Sequence, residues 1–379
     1  MPESSASETS ALRLGRPLCV DLDGTLLRTD TTQERLILFL KGRESQMWRL
    51  PLWLREGRPR TKAELASRTT LSPDLLPVST EFLEFLRGER ALGRRLVLVT
   101  GADTDTARQL GQYFGIFDEV LASDREINLI SEQKRRRLVE RFGEKGFDYA
   151  GNSHADLRVW DSANEAILVN TSAGVARQAR CRALVVRIFN RTASPWTGLI
   201  RAMCPRCWLA NLLVFVPVLA VGAERATAVL GDSILAFLAF CCITSSVRIL
   251  TGLFDLESAR RDPRRRYSPF ASGQTPLAMG MLAVPLLLTF GFGISVWLPR
   301  LFFIYLLGCH GFALAYASLA KKSALSDILV GFGLLAVRVF AGEAATGILC
   351  PGSLLGVGGA LLLGFAVLKQ RLEARRSQA

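Results

Sequence analysis

The chain has 379 residues, enough for two or three domains. Its 47 Lys and Arg against 34 Asp and Glu give a net charge of +13, with 49% hydrophobic residues. The excess positive charge lies in short clusters between apolar stretches, which membrane topology explains better than a phosphate-tracking surface does, so no nucleic acid partner is expected. The two halves differ: residues 1–190 hold 29 basic against 26 acidic residues, and residues 191–379 hold 18 against 8. Up to about Arg191 the composition is that of a soluble domain, and after Pro195 long apolar runs dominate.

In chain order, residues 1–12 are polar, acidic and Ser-rich, and are expected to form a disordered tail with no signal peptide. Strand-like apolar runs then recur at Leu18–Asp21, Leu96–Thr100, Glu119–Ala122, Phe147–Ala150, Ala166–Val169 and Leu184–Ile188. They alternate with helical patterns such as Thr104–Phe114 and Glu132–Phe142, which predicts a mostly parallel α/β sheet over residues 13–190. Sites in such sheets lie beyond the carboxyl ends of the strands.

The first strand runs Leu18-Cys19-Val20-Asp21-Leu22-Asp23-Gly24-Thr25-Leu26-Leu27. Period-two geometry turns Asp21 and Asp23 to one side, where one carboxylate can attack a phosphoryl group while the other handles a proton. The bland alternative is a buried strand that ends in an Asp-Gly turn. Thr100, at the end of a second strand, offers a hydroxyl for a phosphate oxygen or a plain helix cap. Lys134 opens a basic helix and can offset phosphate charge, whereas Arg135–Arg137 read as its solvated face. The run Tyr149-Ala150-Gly151-Asn152-Ser153-His154-Ala155-Asp156 presents oxygen ligands suited to Mg²⁺.

In order and spacing these four segments resemble the motifs of the haloacid dehalogenase (HAD) phosphatase superfamily. The resemblance implies an α/β HAD-like (Rossmannoid) domain with a small helical cap at about residues 31–90. It implies Asp21 as a nucleophile that becomes an aspartyl-phosphate, and Asp23 as general acid and then base. Thr100 and Lys134 would hold the phosphoryl group, and Asp21, Asp23, Asn152 and Asp156 would hold Mg²⁺. Two positions depart from the pattern. Asn152 stands where most of the superfamily has a second acid, which predicts weaker Mg²⁺ binding, and Ser131 stands where a Gly often precedes the lysine.

After a linker at residues 191–200, residues 201–379 are expected to form an all-α polytopic membrane domain. Apolar spans lie at Trp208–Val221, Val229–Leu250, Leu277–Trp297, Leu301–Ala320, Ile328–Leu349 and Leu354–Leu368. A crossing needs roughly 20 apolar residues, so about six transmembrane helices are expected, the first and last being short. Flanks on one side carry most of the Lys and Arg, from Arg201 to Arg376, against Arg225 and Arg300 on the other. The positive-inside rule then places both termini and the α/β domain in the cytoplasm. Most of the eight cysteines lie in or beside the spans, and Cys204-Pro205-Arg206-Cys207 has the gap of a metal or redox pair. With no second pair and no neighbouring His, that gap reads as coincidental spacing.

The segment from Thr251 to Gly273 mixes Asp255 and Glu257 with clustered arginines, including Arg260 and Arg264, and ends in Pro269-Phe270-Ala271-Ser272-Gly273. Acids at a membrane surface can hold Mg²⁺ on a diphosphate while arginines take its oxygens; a positive-inside flank would explain the arginines alone. Together with Tyr316-Ala317-Ser318-Leu319-Ala320-Lys321, Ser326-Asp327, Arg338 and Gly342, this segment resembles the UbiA-type intramembrane prenyltransferases. The branch that joins phosphoribosyl diphosphate to a polyprenyl phosphate is most similar.

The resemblance implies a bacterial-type inner (plasma) membrane location. It also implies polyprenyl phosphate or another isoprenoid lipid, a phosphorylated sugar or phosphoribosyl diphosphate, and membrane lipids as partners. Asn211, Asp255, Arg260, Arg264, Tyr316, Lys321, Asp327 and Arg338 would be the substrate-binding set, with Asp255 also on the metal. Thr251, Gly252 and Ala259 stand where the family's first Asp-rich motif has Asn, Asp and Asp, and about six spans stand where it usually has nine. The expected function is a membrane-bound bifunctional protein, a transferase domain fused to a Mg²⁺-dependent phosphatase. The alternatives are an aromatic prenyltransferase of the quinone or haem type, or a truncated membrane anchor that carries an active phosphatase.

Overall fold

The computed structural model describes residues 15–350, except 43, 125, 191–192 and 319–323, together with residue 364. It divides into two compact units: one runs to Gly198 and includes Phe254–Ala278, and the other holds Leu199–Leu253 and the chain from Met279 onward.

The first unit is built on a six-stranded parallel sheet, in the order β3-β2-β1-β4-β5-β6. The strands are β1 (Leu18–Val20), β2 (Leu96–Asp103), β3 (Glu119–Ser123), β4 (Asp148–Gly151), β5 (Glu165–Val169) and β6 (Leu184–Phe189). All six expected strands are present, with ends moved by three residues at most. The period-two alternation sorts the core. Leu18, Val20, Leu96, Leu98, Ala150 and Ile167 pack on one face, and Cys19, Val97, Val99, Tyr149, Ala166 and Leu168 on the other. Both faces are covered, as parallel sheets require.

Between β1 and β2 the cap contributes α1 (Thr31–Gly42), α2 (Leu50–Glu56), α3 (Arg58–Arg68) and α4 (Thr80–Ala91). Its small core joins Phe39, Trp53 and Leu65. The remaining helices of the α/β domain are α5 (Thr104–Phe114), α6 (Glu132–Phe142), α7 (Leu157–Ser162) and α8 (Ala173–Arg180). The Asp103 carboxylate caps α5 by accepting from Thr106 N at 3.0 Å. β1 pairs with β2 on one side and β4 on the other, so the strand order reverses about β1, and the crevice at its carboxyl end is where such sheets bind ligands.

Downstream lie α9 (Pro195–Met203), α10 (Val216–Leu219), α11 (Ala223–Phe254), α12 (Leu256–Arg261), α13 (Leu277–Ser295), α14 (Arg300–Ser318) and α15 (Ala324–Thr346). Four helices are long and apolar enough to cross a bilayer, at Ala223–Phe254, Leu277–Ser295, Arg300–Ala317 and Leu329–Thr346. Between 17% and 33% of each apolar window is buried, so most of that surface faces outward, as lipid-facing helices do.

The expected count of six is therefore not met among the described residues. The first expected span is a 3₁₀ stretch, Pro205–Phe215, followed by the short α10; it joins α9 as a pair bent by 40°, which raises the count to five if the pair makes one crossing. Proline explains the break: Pro205 and Pro217 each lack the N–H that a continuous helix needs. The sixth expected span, Leu354–Leu368, lies outside the described residues except for Gly364. Cys204 and Cys207, read as coincidental spacing, are joined as a disulfide. A turn closed by Cys207 N donating to Cys204 O brings their Cα atoms to 5.5 Å.

Candidate active site

β1 ends by placing Asp21 beside the end of β4, where Asp21 N donates to Ala150 O at 3.0 Å. The chain then doubles back through a tight turn in which Leu27 N reaches Leu22 O at 2.9 Å. Gly24 makes the turn possible. Its φ is +77°, and a Cβ there would lie 2.0 Å from Asn152 Nδ2, so the missing side chain leaves room for the Asn152 amide.

Asp21 is buried and accepts from Lys134 Nζ at 2.6 Å and from Thr25 Oγ1 at 3.1 Å. Lys134, near the start of α6, also donates to the Tyr149 hydroxyl at 3.0 Å and lies 3.9 Å from Asp156 Oδ1. Ser131, the residue before α6, has φ +51°, left-handed backbone in which glycine carries no strain. That is the position where a Gly often stands. Tyr149 donates to Asp156 Oδ1 at 2.7 Å. The other Asp156 oxygen accepts from Asn152 N at 3.0 Å, Ser153 N at 2.9 Å and Ser153 Oγ at 3.0 Å. Asp156 therefore fixes the loop that carries Asn152.

Asp23 is half-buried and bound to the start of α1: Thr31 N donates to one oxygen at 2.8 Å, and Thr31 Oγ1 to the other at 3.2 Å. Thr100 is fully buried within β2, three residues before its end, its hydroxyl accepting from Ala102 N at 3.0 Å. From the cap, Lys62 Nζ donates to Gly101 O at 2.5 Å and to Asn128 Oδ1 at 3.0 Å.

Burial sets the protonation. It pushes the Asp21 carboxyl up to about 6, with Lys134 opposing the shift and Asp156 adding to it. Burial, with Asp30 nearby, holds Asp23 well above the ordinary carboxylate range. Burial alone would lower Lys134, but Asp21 and Asp156 outweigh it and raise its pKa. Burial lowers Lys62, and Asp23 partly counters it. Two neighbouring carboxyls that both hold a proton more tightly than usual, beside a buried ammonium, can divide the tasks of nucleophile and acid.

Tyr149, Thr31 and Lys62 carry no assigned role in the sequence. Tyr149 adjoins the Ala150-Gly151-Asn152 run, and a polar aromatic inside an apolar strand was a readable signal. Lys62 has no such signal, because it lies on a cap helix and reaches the site only through the tertiary fold.

The residues expected to bind the transferase substrates fall in both compact units. Asp255 pairs with Arg265. Arg260 pairs with Glu34 at 2.6 Å. Arg264 is exposed, and its backbone N donates to Asp262 Oδ1 at 2.8 Å. Asn211 and Arg338 do come together: Arg338 Nε donates to Asn211 Oδ1 at 2.8 Å, and both are buried. The guanidinium also sits over the Phe240 ring, 5.6 Å from its centroid. Tyr316 is half-buried in α14. Lys321 and the side chain of Asp327 lie outside the described residues.

No family model matches the chain. Over 371 residues it is 33% identical to the uncharacterized protein y4nM of Sinorhizobium fredii, an alignment that covers 95% of this chain and 70% of that protein. The chain belongs to the y4nM family. Over 157 residues in its C-terminal part it is 33% identical to the decaprenyl-phosphate phosphoribosyltransferase of Mycolicibacterium smegmatis, covering 40% of this chain and about half (49%) of that enzyme. It is 29% identical to the nodulation protein NoeC of Azorhizobium caulinodans over 177 residues, 46% of this chain and 57% of that protein. Among solved structures, a HAD family hydrolase from Salmonella enterica matches at 16% identity and a TM-score of 0.34, covering 50% of this chain and 77% of that one. A probable phosphoserine phosphatase from Vibrio cholerae matches at 14% identity and a TM-score of 0.33, covering 45% and 61%. In this y4nM-family chain, a six-stranded parallel α/β domain that carries Asp21, Thr100, Lys134 and Asp156 precedes a helical region with four described helices long and apolar enough to cross a membrane, and the C-terminal part is similar to decaprenyl-phosphate phosphoribosyltransferases.

Proposed function

We propose that this y4nM-family protein is a bifunctional membrane protein: a phosphatase that hydrolyses phosphomonoesters at Asp21, and a transferase region that handles a polyprenyl phosphate and a phosphoribosyl donor. The observation that carries the phosphatase reading is the convergence of Lys134, Thr25 and the Tyr149–Asp156 pair around Asp21 at the switch point of the sheet. In the first step an Asp21 oxygen attacks phosphorus, and the bond to the leaving oxygen breaks as Asp23 gives that oxygen its proton. In the second, water attacks the aspartyl-phosphate, Asp23 takes a proton from the water, and the bond to Asp21 breaks to release phosphate. Lys134 and Thr100 stabilise the phosphoryl oxygens, and the cap shields the centre from water.

The chemistry of the donor set, carboxylate and amide oxygens, suits a hard divalent cation. Asp21, Asp23 and Asn152 would supply oxygens to it, and the space at Gly24 admits the Asn152 amide. Asp156, occupied by four protein donors, supports the loop. When bound, Mg²⁺ supplies charge neutralisation on the phosphoryl oxygens. With one acid replaced by Asn152, the site carries one negative charge fewer, and weaker Mg²⁺ binding follows.

The transferase reading rests on the similarity to decaprenyl-phosphate phosphoribosyltransferases and on the buried Asn211–Arg338 pair. A charge inside a bilayer marks a polar or substrate-lined site. Coupling the two centres in one chain raises the effective concentration at which a membrane-bound phosphomonoester meets the phosphatase. In this reading the protein lies in a bacterial-type inner membrane with its α/β domain in the cytoplasm. The engagement of Arg260 by Glu34 and of Asp255 by Arg265 favours a second reading, in which the membrane half serves as an anchor without transferase activity.

The phosphatase test uses the full chain in detergent with Mg²⁺ and p-nitrophenyl phosphate. Hydrolysis that falls by about 10³-fold or more in Asp21→Asn supports the reading, and equal rates in both proteins overturn it. Transfer from labelled phosphoribosyl diphosphate to decaprenyl phosphate by the same preparation supports the bifunctional reading, and its absence leaves the anchor reading.

A further inference from the structure

Among the arginines between α11 and α13, Arg260 makes three side-chain hydrogen bonds, two of them to Glu34. We propose that it is a positioning residue of the phosphatase centre, delivered by the segment between two apolar helices to hold the part of the cap that carries Asp23's partners. This rests on the phosphatase reading above and deepens it.

The segment Phe254–Ala278 belongs to the same compact unit as the sheet and cap. Within that unit it holds residues 28–34 at three points. Arg260 donates through Nη2 to Glu34 Oε1 at 2.6 Å and through Nη1 to Glu34 Oε2 at 3.0 Å, while its Nε donates to Ala271 O at 3.1 Å. The side chains of both partners are at most 6% exposed. Such a two-pronged pair out of water fixes orientation as well as distance. Thr29 Oγ1 also donates to Glu34 Oε1, at 2.6 Å, which ties the carboxylate back onto the chain before α1.

The second point is Gly273. Its φ is +69°, and a Cβ there would lie 2.6 Å from Arg28 Cβ and 2.8 Å from Arg28 O, so only glycine permits this approach. At the third, Ala278 N donates to Gln33 Oε1 at 2.9 Å. Among these three contacts lies Thr31, whose N–H and hydroxyl both hold the Asp23 carboxylate. A shift of residues 28–34 therefore moves the partners of Asp23 directly. Lost placement of a reacting group by about 1 Å costs on the order of 100-fold in rate. Among the described residues, the Arg260 side chain bonds Glu34 and Ala271 and not Asp21, Lys134 or Asn152, so its effect passes through Glu34 and Thr31. All three kinds of guanidinium N–H donor are in use here, which also explains how an arginine in a diphosphate-type segment can serve a different site.

The test compares the full-length protein with Arg260→Ala, Arg260→Lys and Glu34→Gln. Arg260→Ala is expected to lower kcat for p-nitrophenyl phosphate by roughly 10–100-fold with little change in KM. Arg260→Lys is expected to recover part of the loss, since it keeps the charge but not the two-pronged geometry. Hydrogen exchange supplies a readout that needs no activity: Arg260→Ala should raise deuterium uptake over residues 28–36 and leave β4 unchanged. Unchanged kcat in all three variants overturns the positioning role, and so does a fall in thermal stability with kcat intact. Unchanged exchange over residues 28–36 overturns the clamp itself. If the unsubstituted protein and Asp21→Asn hydrolyse equally slowly, the phosphatase reading fails, and the exchange result still decides whether Arg260 holds this segment.

Discussion

The crevice at the end of β1 and the arginine-rich segment between α11 and α13 use the same residue types to opposite effect. At Asp21 the charged groups converge: Lys134 reaches it at 2.6 Å and stands 3.9 Å from Asp156, and Tyr149 bridges the two. In the segment they pair off one to one, Asp255 with Arg265 and Arg260 with Glu34. A charge held one to one by a protein partner has little left to offer a ligand, whereas an ammonium shared among Asp21, Tyr149 and Asp156 can turn to an incoming anion. Motif resemblance alone does not distinguish these cases, because it reports which residues are present and not what they are paired with.

The sharpest way to break that contrast is to remove the convergence. Lys134→Met leaves Asp21 and Asp156 buried without their cation, and one-sided removal of a buried pair costs about 3–5 kcal/mol. Thermal unfolding of the α/β domain should show a loss on that scale together with loss of hydrolysis. A change below 1 kcal/mol would mean that the lysine is not the organising charge. Arg265→Met, which breaks the half-exposed pair with Asp255, should be close to neutral in the same measurement.

A second prediction concerns the departure at Asn152. Asn152→Asp returns a carboxylate beside Gly24 and should lower the Mg²⁺ concentration for half-maximal hydrolysis by roughly tenfold, about 1.4 kcal/mol. A titration that stays in place would show that the Asn152 side chain does not face the cation.

The smallest effect is on pH dependence. The carboxyl of Asp21 is raised in the folded protein to about 6, above its ordinary value near 4. Its contribution to stability is therefore fully present below about pH 4 and is lost as pH rises through about 6. In the presence of a chelator, the melting temperature of the α/β domain should fall across that window. The fall should be shallower in Asp21→Asn, and identical slopes would show that Asp21 is not held in a desolvated site.

Much of this was legible in the sequence because it depends on local pattern. The period-two runs at Leu18–Val20 and Leu96–Val99 specify strands and their faces. The Asp21-Leu22-Asp23-Gly24 run places two acids on a turn, and the apolar stretches after Ala223 are long enough to span a bilayer. What depends on residues far apart in the chain was not legible. Tyr149 became a link between Lys134 and Asp156 only when β4 paired beside β1. Lys62 reached Gly101 through the folding of the cap. The first apolar span failed as a regular helix, although Pro205 and Pro217 were in plain view, because hydropathy counts side chains and not missing N–H groups.

The sequence by itself determined the α/β class, the two acids of the first motif and the apolar character of the second half, since each is written in the identity and spacing of near neighbours. Only the tertiary structure decided which charges are paired. Arg260 read equally well as a diphosphate ligand or a membrane flank, and it lies against Glu34, 226 residues earlier in the chain. Ion pairs are short-range and orientation-dependent, so their partners are fixed by the fold and not by the pattern of the segment that carries them.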